Sequence, residues 1–395
     1  MSEKPPSPVA PTSPPRLQRA TVLVAIDAGR GYARETISGV IDYARRHTAW
    51  SFAPVEHVRG RVIEPHWLAE ADGVLMLESG EAAERVRAGG TPSVGLWDPG
   101  SRGCVRLDHA AVADLAIDHF VNLGLRSFAT FTTGGRGHDR RLDAFRRRVH
   151  DRGHTLHEKV VTRPDPAADG VRDIRERWGG WLRSLPVPVG ILCSNTRYAQ
   201  QLLFAADLER IAVPEQVAVL AAGTDDLACE MCRPPLSTVD TGSHRCGYEM
   251  ARLLHRHLLD PSLGYEEVTV PPRGVVTRRS TQMLAIEDAG LARALRHIRE
   301  HACEQQRIAD LLAPLPMSRR AVEMGIRREL GRTVGEEVTR LRIERVKQLL
   351  AFSTMPLPDV AARSGFAYPS HLSRVFKQRT GQTPTQYRRS VAGDV

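Results

Sequence analysis

Between Pro358 and Arg388 the chain reads PDVAARSGFAYPSHLSRVFKQRTGQTPTQYR. Leu372, Val375 and Phe376 recur at helical spacing, so one face is buried while Ser370, His371, Arg374 and Gln378 share the other, with Lys377 beside them as a further contact. Hydroxyl, imidazole, guanidinium and ammonium groups on one helical face can donate to phosphate oxygens and to the acceptor edges of bases. A short helix from Asp359 that halts at Ser364-Gly365 precedes this one, and the pair reads as a helix-turn-helix. About fifty residues earlier the pattern returns: Asp310, Leu311, Leu312 and Ala313 stand for Asp359 to Ala362, and Val322, Ile326, Gly331 and Thr333 stand for Leu372, Phe376, Gly381 and Thr383. Two related units therefore lie in tandem. The first offers Arg319, Arg320 and Arg327 for phosphate or guanine.

Other chemistries find less support. Cys229-Glu-Met-Cys232 has zinc-ligand spacing, but no second Cys or His pair stands at a matching distance, so core sulfur is the reading taken and neither a metal nor a cofactor is expected. Cys246 beside His244 and Arg245 comes nearest to an activated thiolate. Thr133 to Gly137, TGGRG, sits where a phosphate cradle would, yet G-x-G-x-x-G and G-K-[ST] are absent. With no nucleophile elbow and no paired zinc histidines, an enzyme is not expected.

The elements that carry these residues fall into three parts. Residues 1–19 are rich in Pro and Ser and read as a disordered leader. From residue 20 to 284, short apolar strands (TVLVAI, DGVLML, PSVGLW, SFATF, HEKVV, VGILC, VAVLA) alternate with helices such as Tyr32 to Arg46, Asp108 to Leu123, Arg140 to Arg152 and Thr196 to Glu209. This is the α/β pattern of parallel sheets covered on both faces, and its length suits two lobes with a cleft between them. Residues 285–395 are all helical. There a long helix, Glu336 to Phe352, joins the two units, with Leu341, Val346 and Leu350 inward and Arg342, Arg345 and Lys347 outward. The formal net charge of +9 concentrates in this part, which from Ile286 on holds nineteen Arg and Lys against twelve Asp and Glu, as a nucleic-acid partner requires. No run of eighteen apolar residues and no signal region occur, so a cytoplasmic protein with no membrane partner is expected.

Two resemblances add to this reading. The pattern G-F-x(4)-H-L-S-R-V-F-K-x(2)-T-G-x-T-P-x(2)-Y-R from Gly365 to Arg388 resembles the AraC/XylS DNA-binding domain, with Val322, Met324 and Ile326 departing from the commoner Leu, Arg and Phe in its first unit. The segments at 107 to 131, 141 to 145, 194 to 199, 221 to 226, 233 to 240 and 275 to 281 resemble the LacI/GalR-type sugar-binding core, itself similar to periplasmic binding proteins. The two together resemble the xylose-responsive regulators. By motif position the resemblance implies that Arg141, Asn195 and Asp225 hold a sugar. The same resemblance places Asp27, Arg30 and Tyr32 after the first strand at that cleft, with Trp97 either covering the sugar ring or belonging to the core. It further implies a homodimer on operator DNA that activates genes of D-xylose use with RNA polymerase as partner. Another sugar, a polyol or a non-sugar ligand on the same scaffold, or repression, stays open.

Overall fold

In the computed structural model the described residues are 19–53, 65–77, 81–96, 100–134, 140–162, 174–283, 286, 288–304 and 307–392. The Pro-rich leader (but for Arg19, which opens the first strand), Trp97 and most of the TGGRG loop lie outside them. Twelve strands are described: β1 Arg19–Ala25, β2 Ala49–Phe52, β3 Gly73–Met76, β4 Ser93–Leu96, β5 Gly103–Leu107, β6 Ser127–Gly134, β7 Thr155–Thr162, β8 Val189–Cys193, β9 Val217–Ala222, β10 Ser237–Asp240, β11 Glu266–Val270 and β12 Gly274–Val276. They form two six-stranded sheets, ordered β11-β5-β4-β3-β1-β2 and β12-β10-β9-β8-β6-β7. Neighbours from β2 to β5 and from β7 to β10 run parallel, and β12 closes the second sheet antiparallel to β10.

The chain divides into two compact units, one of residues 1–28, 35–105 and 246–268, the other of 29–34, 106–245 and 269–395. In the first, α1 (Gly31–His47) and α9 (Ser243–Leu259) cover the sheet, with α2 (Pro65–Glu70) and α3 (Glu81–Gly89) also present. Gly247 has to be glycine there, since a Cβ would come within 1.8 Å of the Thr36 carbonyl oxygen. Beside that approach Tyr43 Oη lies 3.0 Å from His255 Nδ1.

The second unit shows why continuous apolar strands sit at a sheet centre. Every residue of β8 and β9 is buried, and alternate side chains leave by opposite faces. Leu192, Ala218 and Leu220 meet Ile117 and Phe120 of α4 (His109–Asn122) and Leu142 and Phe145 of α5 (Arg140–Asp151). Ile191, Cys193, Val217 and Val219 meet Trp178 and Leu182 of α6 (Gly180–Ser184 with the π-helical turn Arg175–Gly179) and Leu202 and Leu203 of α7 (Thr196–Leu208). A short α8 (Asp226–Glu230) follows β9.

The helical domain belongs to the same unit. Its helices are α10 (Ala289–His301), α11 (Ile308–Leu312), α12 (Arg319–Leu330), α13 (Val334–Phe352), α14 (Leu357–Arg363), α15 (Pro369–Thr380) and α16 (Pro384–Ala392). Two small cores form, and α13 serves both: Val334 and Val338 pack with Leu291, Ile298, Val322 and Ile326, whereas Ile343, Val346 and Leu350 pack with Val360, Leu372 and Phe376. Each helix-turn-helix unit ends on a left-handed glycine, Gly331 at φ 70° and Gly381 at φ 76°, where a side chain would be strained. Thr333 then caps α13 through a capping box with Glu336, and the Thr383 hydroxyl accepts from Gln386 N in the same way at the second exit.

This domain is tied to α4. Glu337, with no exposed side-chain surface, lies 2.7 Å from Arg332 Nε, 2.7 Å from Arg340 Nη2 and 3.9 Å from Arg299 Nε. Arg299 donates to the Asn122 carbonyl and Arg332 to Asn122 Oδ1 at 2.7 Å. One turn back, His119 Nε2 stands 2.9 Å from Thr281 Oγ1. At the far end of α13, Arg273 donates to the Ala351 carbonyl and lies 4.3 Å over the Phe352 ring.

The fold departs from expectation in five of its strands. The expected strands omit β2, β5, β10, β11 and β12, of which β5 and β10 lie inside their sheets. Of these, β2 and β11 expose alternate or most residues and so lack the continuous apolar run of a central strand. Arg342 is not outward: it donates to the Ala302 and Glu304 carbonyls, at 2.7 and 3.0 Å. Lys347 is half-buried and paired with Glu344.

Burial, with the Arg299 and Arg340 charges, pushes the His119 pKa down to about 4. A histidine depressed in the folded state leaves the unfolded chain holding the extra proton between that value and the unfolded one near 6.5. Stability is therefore lost as pH falls through that window. At pH 5 the loss from this group comes to about 2 kcal/mol. Urea melts at pH 7 and pH 5 check it: His119→Gln is expected to show a smaller drop between the two than the unchanged protein.

Candidate functional site

Two adjacent parallel strands deliver two of the residues expected at a ligand site. β8 runs out into Ser194 and Asn195, and β9 into Gly223, Thr224 and Asp225. Carboxyl ends of neighbouring strands are where open α/β sheets receive ligands. Asn195 caps α7, its Oδ1 accepting from Tyr198 N at 3.0 Å. Asp225 caps α8, its Oδ1 accepting from Ala228 N at 3.3 Å. Thr196 Oγ1 donates to the Gly223 carbonyl at 3.0 Å and ties the two strand exits together. Gly223, at φ 101°, makes the turn that aims Asp225.

The second oxygen of Asp225 is engaged as well. Arg34 Nη2 lies 3.1 Å from Asp225 Oδ2, with half of the Arg34 side chain exposed. A Cβ on Gly31 would come 2.4 Å from the Asp225 Cβ, so only glycine lets the start of α1 approach this loop. Arg30 and Tyr32 belong to the same stretch, with Arg30 Nη1 3.3 Å from Tyr32 Oη. Arg141 stands half-buried in the first turn of α5. Thus Arg30, Tyr32, Arg141, Asn195 and Asp225 all fall within one compact unit, whereas Asp27, exposed after β1, falls in the other and Trp97 lies outside the described residues.

Three residues here escaped the sequence reading. Arg34 is one. Ser194 Oγ and Thr224 Oγ1 are the others: both are buried beside Asn195 and Asp225 without a hydrogen-bond partner among the described residues. Polar groups so placed need an acceptor or donor from elsewhere. Only their position one residue before the motif residues could have flagged them.

In the helical domain the seven expected contact residues are all solvent-facing: Arg319, Arg320 and Arg327 on α12, and Ser370, His371, Arg374 and Lys377 on α15. The opposite faces are buried by Val322, Ile326 and Leu330 and by Leu372 and Phe376. Ser318 starts α12 by accepting from Ala321 N at 3.2 Å, and Pro369 starts α15. Arg319 pairs with Glu323 at 2.9 Å, an exposed contact of little stability that phosphate can displace. The edge of the Phe366 ring meets His371 at 5.6 Å between centroids.

The cysteines offer no nucleophile. Cys246 is fully buried. Burial pushes the thiols of Cys193, Cys229 and Cys303 up, and that of Cys232 to about 12. Cys232 Sγ lies 3.3 Å from the Ala228 carbonyl, and among the described residues no three His, Cys, Asp or Glu side chains converge as a metal site.

Residues 117–281 match the family of periplasmic binding protein-like domains and residues 311–390 match a helix-turn-helix domain family. The chain is 26% identical over 389 residues to the xylose operon regulatory protein of Escherichia coli strain K12, covering 94% of this chain and 97% of that one. It is 27% identical over 290 residues to the protein of the same name from Haemophilus influenzae, covering 72% and 74%. A solved structure of the xylose-binding transcription activator XylR matches with a TM-score of 0.60 at 25% identity, over 94% of this chain and 98% of that one. With a periplasmic binding protein-like fold ahead of two solvent-facing recognition helices, the chain is a DNA-binding transcription regulator, similar in its two-part plan to the xylose operon regulatory proteins.

Proposed function

We propose that this regulator senses a small neutral sugar, a pentose and specifically D-xylose, and activates genes of its catabolism. The observation that carries the proposal is the pair Asn195 and Asp225 at the carboxyl ends of β8 and β9, with the buried Ser194 and Thr224 hydroxyl oxygens beside them lacking a hydrogen-bond partner among the described residues. Carboxylate, amide and hydroxyl groups on one rim suit vicinal hydroxyls, since the acid accepts twice, the amide both donates and accepts, and Arg141 adds donors. The relatives with the same two-part plan are named for xylose.

Arg34 holds Asp225 Oδ2. An effector that takes over this carboxylate changes the setting of α8 and of the α1 start together. Only differential affinity for two arrangements can shift the population of a regulator, and a hundredfold shift requires about 2.7 kcal/mol. Such a shift would act on a homodimer whose helical domains sit on adjacent operator half-sites, in the cytoplasm where the DNA is. Within one subunit α13, about 28 Å long at 1.5 Å per residue, holds two recognition helices for successive major grooves roughly 34 Å apart. RNA polymerase would be the further partner of an activator.

A thermal-shift series with D-xylose, L-arabinose, D-ribose, D-glucose and xylitol tests the sensor. D-Xylose at a hundredfold excess over Kd is expected to add about 2.7 kcal/mol of stability, with Asp225→Ala abolishing the response and Gly31→Ala weakening it. A shift with a different sugar reassigns the effector, and none with any of them overturns a sugar sensor. For the DNA side, Arg374→Ala is expected to weaken operator binding by about 1–3 kcal/mol and relax one base position, whereas Arg327→Ala should weaken all sequences alike and lower the salt slope by about 1. Gel-shift titrations at two salt concentrations separate these.

A further inference from the structure

The two helix-turn-helix units are built alike but differ at one solvent-facing position. At the fixed offset of fifty residues, buried Val322 and Ile326 stand over buried Leu372 and Phe376, and left-handed Gly331 stands over left-handed Gly381. That register places Met324 over Arg374. Met324 is 59% exposed, an unbranched apolar side chain among exposed cations. Arg320, four residues before it, and Arg327 and Arg328, three and four after, are exposed on the same stripe. Glu323, the neighbouring acid, is occupied by Arg319 at 2.9 Å. Gly325 is seated on α10, where a Cβ would meet Leu291 at 2.8 Å, so the helix cannot roll to hide Met324.

A cationic stripe complements a polyanion, and the major groove of DNA offers one apolar feature among its polar edges, the C5-methyl of thymine. We propose that Met324 is a specificity-determining residue that reads a thymine methyl in the half-site taken by the first unit, at the step where Arg374 hydrogen-bonds guanine in the other. The inference rests on the DNA-binding role of the domain. It makes the composite site asymmetric: one unit selects by burying a methyl, its repeat by hydrogen bonds. Flexible thioethers suit this, since they fill irregular apolar gaps with several rotamers.

The test uses the full-length protein and duplexes selected by it from a random library. In the selected sequence each thymine is replaced in turn by deoxyuridine, which lacks only the methyl. One such replacement is expected to weaken the unchanged protein by about fourfold, the weight of one buried carbon group. The same replacement should leave Met324→Ala unaffected, and selection with Met324→Arg should turn that base pair to G·C. Deoxyuridine substitutions without effect, or a penalty that persists in Met324→Ala, overturn the proposal while leaving sequence-selective binding intact. Failure to enrich any sequence overturns the DNA-binding role itself and the proposal with it. Met324 is on the surface, and equal melting temperatures for the variants and the unchanged protein establish that folding is not what differs.

Discussion

Glu337 is a carboxylate without solvent, and around it three guanidinium groups meet that come from three places in the sequence. Burial alone would raise its pKa, but the Arg340 hydrogen bonds and the charges of Arg340, Arg332 and Arg299 hold it below the usual carboxylate range. One acid against three bases leaves positive charge over. The end of α4 absorbs it: the Asn122 carbonyl, at the negative pole of that helix, and the Asn122 side chain take Arg299 and Arg332. Burial, with Arg340 and Arg332 opposing the pull of Glu337, brings the Arg299 pKa to about 10, still charged at neutral pH. Removing one member of such a set strands a buried charge at about 3–5 kcal/mol, so the helical domain and the second sheet share one fate.

This cluster also orders the path between sensor and tail. Asp225 caps α8, whose Asp226 and Glu230 hold Arg278 at 2.7 and 2.8 Å. Arg278 leads into Ser280 and Thr281, buried against Ser237, and Thr281 meets His119 on α4. The links are hydrogen bonds, ion pairs and short stretches of chain within one compact unit. Contiguity of this kind is a physical route for coupling.

Much of the architecture was legible because it rests on local chemistry. Gly365 and Gly381 at positive φ, with Leu372 and Phe376 between them, fix the second recognition helix by steric rules that act over a few residues. The apolar runs of β8 and β9 announce strands buried on both faces, whereas Asn195 and Asp225 after them were expected at the site from the resemblance to the LacI/GalR-type core. What escaped depends on distant partners. Arg34 reaches Asp225 across 191 positions. Glu337 and Arg342 look like members of a solvated helical face until α10 is laid against them. β2 and β11, at sheet edges, carry polar residues that no periodicity separates from loop.

The arginines that build the domain are lost to any other use. Arg299, Arg332 and Arg340 are spent on Glu337, Arg342 on two carbonyls and Arg388 on the Met355 carbonyl, so the nineteen cations of the tail are not nineteen available to a nucleic acid. Counterions leave DNA only in proportion to the phosphates a protein neutralises. The ionic-strength response of a complex with this chain is therefore set by the exposed side chains of α12 and α15 and their neighbours. An entropic gain reckoned from the formal charge would overstate it, because part of that charge is held inside the protein by partners of its own.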